Sequence, residues 1–262
     1  MIYGFIHPGS GLGNQLHRYI ATRVTADRLG VPFSMIGREH FKGKEFMNLD
    51  FGEVVNVPHH IDYPAGKIIP HISVLKGLPR LNMWEEKTNF YNPEFNFIPD
   101  NTIIDGEFQD ERYFEVYMDK ILGWFNIKEE LMSGFYDDIC VIGFRGGEFA
   151  LFPDLFLTKE YWEGAITMVR AIKPDVVFKV VTDDPDTAKK FFPDFEISHN
   201  IGDDWTSILF AKFLILANSS FYIFPALLNK NAHTIIAPRY WARRNTKEWS
   251  MPQNFYKSFI YV

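Results

Sequence analysis

The first 36 residues constrain the fold more than any other stretch. Ile2 to Ile6 is a short apolar run that predicts a buried strand. Pro8-Gly9-Ser10-Gly11-Leu12-Gly13 follows as a glycine-rich turn. From Asn14 to Leu29, the residues Leu16, Tyr19, Ile20 and Val24 recur at three- and four-residue steps. That spacing predicts a helix, which Gly30 is placed to end. Val31 to Ile36 predicts a second strand. Strand, glycine turn, helix and strand in this order make a βαβ unit. Open α/β sheets bind ligands outside the carboxyl ends of their strands, where this turn lies.

The rest of the chain alternates in the same way and predicts an α/β protein with mainly parallel strands. Positions 41 to 100 carry little periodicity. Thr102 to Asp105 reads as a strand. Asp110 to Phe125 reads as one amphipathic helix, with Tyr113, Phe114, Tyr117, Met118, Ile121, Leu122 and Phe125 on one face. A second α/β region follows a boundary expected near positions 126 to 137, which divides the chain into 1–130 and 131–262. Its expected elements are a strand at Asp138–Phe144, a helix at Lys159–Ile172 with Thr158 as N-cap, a strand at Val176–Val181 and a helix at Pro185–Phe192. They continue with a helix at Trp205–Lys212, a strand at Phe213–Ala217, a turn at Asn218–Ser220, a helix at Phe221–Leu228 and a strand at Thr234–Ala237.

Composition removes several classes of function. The formal net charge of −6 argues against a polyanionic partner such as nucleic acid. The single cysteine, Cys140, lies in an apolar run and cannot form an intramolecular disulfide, so a reducing compartment and a buried inert thiol are expected. Met1 to Ile6 is short and lacks a basic region, so no signal peptide is expected. The longest apolar stretch, Ile208 to Ala217, is interrupted by Lys212 and is too short to cross a bilayer. Aromatic residues reach 17%, enough to fill a core and also to line a sugar or nucleotide pocket.

Four segments carry candidate chemistry. In the loop Gly9 to Gln15, Gly11 and Gly13 let the backbone approach a ligand, and Asn14 and Gln15 open the helix behind it. The same residues also suit a plain strand-to-helix turn. The loop is not a dinucleotide fingerprint, because the third glycine would fall at Asn14, and no Gly-Lys-Ser/Thr makes it a P-loop. Arg145, in Gly143-Phe144-Arg145-Gly146-Gly147-Glu148, ends a strand among glycines. It can grip a phosphate with a fork of donors or pair with Glu148 or a nearby Asp. Asp183 and Asp184 can bind ribose hydroxyls or base N–H groups, or cap the helix that starts at Pro185. Asn218-Ser219-Ser220-Phe221 can offer donors to a phosphate or act as an ordinary cap. No carboxylate or histidine set completes a metal shell, and the adjacent His59 and His60 lack a third ligand.

These segments, in this order, resemble the α-1,2-fucosyltransferase-like family, glycosyltransferase family 11. Gly11-Leu12-Gly13-Asn14-Gln15-Leu16 is similar to the family's G-G-L-G-N-Q-L opening, with Ser10 at the first glycine. Arg145 and Gly147 match its H-x-R-R-G-D motif, while Gly143, Gly146 and Glu148 replace its His, second Arg and Asp. Thr182-Asp183-Asp184 stands where the family has S-D-D or S-D-N. The stretch from Asp204 through Asn218-Ser219-Ser220-Phe221 to Ile235-Ile236-Ala237-Pro238 follows the family's last motif, with Ile223 and Phe224 for a Trp pair. Gly106-Glu107-Phe108-Gln109 is similar to its G-Y-F-Q.

The resemblance implies two Rossmann-like regions facing across a cleft, the GT-B type. Positions 1–130 would lie on the acceptor side and 131–262 would bind the nucleotide sugar. It implies an inverting transferase that uses GDP-fucose, a glycan acceptor, no cofactor and no metal. Arg145 would meet the diphosphate together with Ser219 and Ser220, and the catalytic candidates are Arg145 and, as bases, Glu148 and His17. Many Golgi transferases carry a membrane anchor, and its absence from this sequence suits either a cytoplasmic enzyme of bacterial, phage or viral type or a trimmed chain. Two rivals stay open: a non-catalytic binding member of the family, and a dinucleotide-dependent oxidoreductase. Arg239, Arg243 and Arg244 suit either substrate contact or a solvated face. The sequence leaves the acceptor, the linkage and the oligomeric state open.

Overall fold

Apolar runs of four to six residues alternate with amphipathic stretches along this chain, and such runs satisfy their backbone groups as parallel strands covered by helices. The computed structural model describes residues 1–55, 81–86, 91–132, 136–239 and 256–262. His59, His60, Arg243 and Arg244, weighed above as a metal pair and as substrate contacts, lie outside the described residues. The fold is α/β, with two compact units. One comprises Met1–Ser10, Asn14–Phe41 and Leu49–Tyr117; the other comprises Gly11–Gly13, Lys42–Asn48 and Met118–Val262.

The first unit holds β1 (Ile2–Phe5), α1 (Leu12–Leu29), β2 (Phe33–Ile36), β3 (Asn82–Glu85) and β4 (Thr102–Asp105). The sheet order is β2-β1-β4-β3, and every pairing is parallel. The predicted periodic residues Leu16, Tyr19, Ile20 and Val24 are all buried, and Gly30, with φ 65°, follows the helix end. The helix begins two residues before Asn14, so Gly13 and Asn14 lie in its first turn. From β1 the chain steps outward to β2, then returns on the other side of β1 to place β4 there. The topological switch point of this sheet therefore lies between β1 and β4.

The single helix expected over Asp110–Phe125 is not formed. Two 3₁₀ turns, Glu111–Tyr113 and Glu115–Tyr117, precede a shorter α2 (Met118–Phe125). Asp110 caps the first turn by accepting from the Arg112 N–H at 3.0 Å. Phe114 then leaves helical geometry at φ −143°. The cause is tertiary. Tyr113 is buried against Phe95 at 4.8 Å and Phe108 at 5.5 Å, and that packing overrides the local period.

The second unit holds β5 (Tyr136–Phe144), α3 (Lys159–Ile172), β6 (Val177–Thr182), α4 (Pro185–Phe191), β7 (Glu196–Ser198), α5 (Ile201–Phe210), β8 (Ala211–Leu216), α6 (Ile223–Leu228), β9 (Thr234–Ala237) and β10 (Ile260–Tyr261). The order is β10-β9-β8-β5-β6-β7, again with parallel pairings. The chain runs β5, β6, β7 in one direction, then crosses back to β8 on the other side of β5. This sheet switches between β5 and β8.

Three local expectations are corrected in this unit. The helix expected over Trp205–Lys212 is α5, which ends at Phe210, and Lys212 lies in β8. Asn229 explains the stop: its buried amide donates to the Ile208 and Ala211 carbonyls at 2.7 Å each, taking up acceptors at the helix end. Thr158 occupies the N-cap position of α3, yet its side chain makes no cap hydrogen bond. The helix expected from Phe221 starts as a 3₁₀ turn, Ser220–Tyr222, before α6. Cys140, Trp162 and Trp205 are core residues, and burial pushes the Cys140 thiol well above the usual range. Among the described residues, no helix is long and apolar enough to cross a membrane.

Candidate functional site

The second unit gathers three of the four sequence motifs at the carboxyl ends of three adjacent strands. Arg145 follows β5, Asp183 and Asp184 follow β6, and Asn218, Ser219 and Ser220 follow β8. Phe144 fixes the end of β5. It is fully buried and packs on Phe156, Trp162, Phe191 and Phe192 at ring distances of 5.9, 5.4, 5.3 and 5.6 Å. Burying such a ring is worth roughly 1.5–3 kcal/mol, so the residue after it is held on a rigid base.

Arg145 is held by carboxylates. One guanidinium nitrogen donates to Asp183 at 2.5 Å and the other to Glu148 at 3.2 Å, while the guanidinium lies 5.1 Å from the centre of the Phe149 ring. The remaining oxygen of Asp183 accepts the Gly146 N–H at 3.0 Å. Asp184 accepts the Gly147 N–H at 3.1 Å and caps α4 through the Thr187 N–H at 3.0 Å. The bonds from Thr187, and then that from Gly147, hold the Asp184 carboxyl below the usual range. Two adjacent carboxylates thus clasp the Arg145–Gly147 loop. Expected as groups that bind ribose or a base, Asp183 and Asp184 have their oxygens engaged by this protein's own backbone and Arg145. Gly147 sits at φ 44°, and a Cβ there would meet Asp183 at 2.3 Å, so the clasp closes only over a glycine.

Gly143, where the resembled family has His, faces the ring of Tyr222. A Cβ would meet that ring at 2.9 Å, and the buried Tyr222 hydroxyl donates to the Phe144 carbonyl at 2.9 Å. The space a larger residue would need is therefore filled from the next motif. Asn218 is buried and donates to the Leu155 carbonyl at 2.9 Å, which makes it a brace for the turn. The Ser219 hydroxyl caps the turn at the Phe221 N–H, 3.4 Å away. Ser219, Ser220 and Phe221 are part-exposed at the carboxyl end of β8. A side chain on Gly13 would meet the Ser220 backbone at 2.2 Å.

In the first unit, the loop after β1 is a tight turn in which the Ser10 N–H donates to the His7 carbonyl at 3.1 Å, with Pro8 second in the turn. Gly9 and Gly11 are exposed, and neither adopts a positive φ. Gln15 is fully buried, and its amide donates to the His7 and His40 carbonyls at 3.2 and 3.0 Å. It braces the loop and presents no surface to a ligand. Asn14 accepts from Gln109 at 3.2 Å, which joins the first motif to Gly106-Glu107-Phe108-Gln109. His17 is fully buried against Phe114, with ring centres 5.9 Å apart, so it cannot reach a substrate hydroxyl as a base. Arg239 is exposed in the second unit.

The sequence reading missed His7, Arg18 and Asp105, which converge at the carboxyl ends of β1 and β4. Their signal was positional. His7 precedes a Pro-Gly turn, and Asp105 is the last residue of an apolar run. Among the described residues, no group of three or more His, Cys, Asp and Glu is arranged to hold a metal ion.

No family model and no curated protein sequence matches the chain. Solved structures do match its fold. The fucosyltransferase NodZ from Bradyrhizobium, as its selenomethionine form, aligns over 97% of this chain and 98% of its own, at 16% identity and a TM-score of 0.52. The α-1,6-fucosyltransferase NodZ soaked with GDP-fucose aligns over 97% of this chain and 99% of its own, at 15% identity and a TM-score of 0.51. With two parallel-sheet α/β units of this topology, the chain has a fold of the GT-B type.

Proposed function

We propose that this chain is a nucleotide-sugar-dependent glycosyltransferase of the family 11 type, inverting, with GDP-fucose as donor and a glycan hydroxyl as acceptor. The observation that carries the reading is the convergence of Arg145 and the Ser219–Ser220 turn on neighbouring strand ends at the β5/β8 switch point. A guanidinium there can take two phosphate oxygens at once. Glu148 is the exposed partner of Arg145, so a diphosphate would displace it at little cost, because an exposed ion pair contributes at most about 1 kcal/mol. Asp183 would stay in place and keep the fork aimed. The first unit would receive the acceptor. The likeness to a fucosyltransferase fold supports the donor choice, and the α-1,2 linkage rests on the motif resemblance.

A thermal-shift screen tests the donor. GDP is expected to raise the melting temperature more than UDP, CMP or NAD, since a ligand that binds only the native state stabilises it. A preference for UDP would sink the fucosyl assignment and leave the transferase reading standing; a preference for NAD would sink both. The reading also needs no metal, so turnover of GDP-fucose is expected to survive excess EDTA. Loss on chelation with recovery on Mn²⁺ or Mg²⁺ would contradict that. One observation favours a second reading, a non-catalytic binding protein: Gly146 stands where the resembled family has a second Arg, and Arg145 is already paired with two carboxylates. Binding of GDP with no consumption of GDP-fucose would select it.

A further inference from the structure

The clasp on Arg145 leaves the base of a nucleotide without its expected partner. In doubly wound sheets, a carboxylate at the end of the strand beside the phosphate loop commonly holds the nucleoside. Here that carboxylate is Asp183, after β6, and its two oxygens are taken by Arg145 and the Gly146 N–H. The next strand end on that side is β7, and His199 follows it directly. Neighbouring strands lie about 4.8 Å apart, which sets the end of β7 about 10 Å from the end of β5. That is the order of distance between the phosphates and the base of one nucleotide, which a ribose separates.

His199 is exposed, yet it is fixed in place. Its Nδ1 lies 2.8 Å from the carbonyl of Thr182, the residue before Asp183. A carbonyl only accepts hydrogen bonds, so Nδ1 carries the proton and the neutral ring keeps its lone pair on Nε2. Among the described residues, Nε2 has no hydrogen-bond partner. The residues on either side are braced by one carboxylate. The Ser198 hydroxyl and the Asn200 N–H donate to Asp204 at 2.5 and 3.0 Å. Asn200 then caps α5 by accepting the Gly202 and Asp203 N–H groups at 3.1 Å each. All of these residues belong to the second unit. An acceptor held in this way loses little freedom when a ligand binds.

We infer that His199 reads the nucleobase of the donor through Nε2 and sets a preference for guanine, an inference that rests on the GDP-fucose reading above and deepens it. Guanine turns an N–H and an adjacent amino group toward a single acceptor. Uracil flanks its one N–H with two carbonyls, whose lone pairs face that of Nε2. Specificity is a difference of affinities, and the repulsive contact contributes to it as much as the attractive one. Asp183 keeps Arg145 aimed at the diphosphate, so phosphate binding and base selection reside at different strand ends of one sheet.

The test measures the affinities of GDP, UDP and inorganic pyrophosphate by calorimetry, with the melting temperature of each protein without ligand as the folding control. His199→Ala is expected to weaken GDP about tenfold, the loss of one hydrogen bond to the ligand. It should also narrow the preference for GDP over UDP and leave pyrophosphate affinity within about twofold of the parent. His199→Gln keeps an amide N–H for the Thr182 carbonyl and an oxygen for the base, so it should fall between the parent and the Ala variant. Parent-like GDP affinity in His199→Ala, or GDP and pyrophosphate affinities that fall together, would overturn this inference alone. A parent that binds neither nucleotide, or binds UDP more tightly than GDP, would overturn it together with the GDP-fucose reading it rests on.

Discussion

Replacing Arg145 by Ala is expected to lower turnover about a hundredfold or more while the protein stays folded. The guanidinium ends β5 behind the buried Phe144 and is aimed by Asp183 at 2.5 Å. Negative charge grows on the diphosphate as it leaves, and a preorganised donor at that point stabilises the transition state by about 3 kcal/mol. The second Arg of the resembled motif is Gly146 here, so Arg145 has no immediate neighbour to share that charge. The fold should persist because the side chain is 29% exposed and its two partners can turn to water. Asp183 would still accept the Gly146 N–H and keep the loop closed. Arg145→Lys keeps the charge and loses the fork, so it should fall between the parent and the Ala variant. Turnover and GDP affinity of both variants, with circular dichroism, decide the matter. A folded Ala variant that turns over normally would make Arg145 a structural ion-pair partner and nothing more.

The pH dependence of stability should carry a large contribution from Asp204. This carboxylate is buried at the start of α5, where it accepts the Ser198 hydroxyl at 2.5 Å and the Asn200 N–H at 3.0 Å. Burial pushes its pKa from 3.8 up to about 6, against the opposing pull of those two hydrogen bonds and of Lys179 and His199. A raised folded pKa means the native state binds the proton more tightly than the unfolded chain does. The resulting stability is full below pH 3.8 and is lost as pH rises through about 6. The rise from 3.8 to about 6 corresponds to roughly 3 kcal/mol. Asp204→Asn removes the titration. Urea unfolding of parent and variant between pH 4 and pH 7 should give a stability difference that moves by about that amount in favour of the variant as pH rises. Parallel curves would show that Asp204 titrates as it does in the unfolded chain.

The same residue shows how the sequence could be read and where the reading stopped. Asp204 opens the last resembled motif, yet in the structure it ties β7 to α5 through Ser198 and Asn200. Asn229, further along that motif, ends α5. Gln15 and Asn218 follow the same course: each sits in a motif and acts as an internal brace. A motif marks residues that a fold or a site requires, and spacing alone does not separate the two requirements. Whether a polar group faces a ligand or a neighbouring backbone depends on what chain returns beside it.

What the sequence determined by itself was local: the βαβ start, the buried face of α1, the strands at Thr102–Asp105 and Thr234–Ala237, α3, and the α4 start at Pro185 with Asp184 before it. In each case the apolar period and the residues that break the chain agree within one segment, so no distant contact is needed to decide. The tertiary structure decided the rest. It broke the stretch after Asp110 by burying Tyr113, and it placed β8 beside β5 so that Arg145 and Ser219 share one sheet edge. It set Asp183 against Arg145 and brought His7 to Asp105 across 98 positions of chain. Side-chain pairs so far apart in sequence form because the order of parallel strands brings them together, and that order is set by the packing of the whole sheet, which no local pattern encodes.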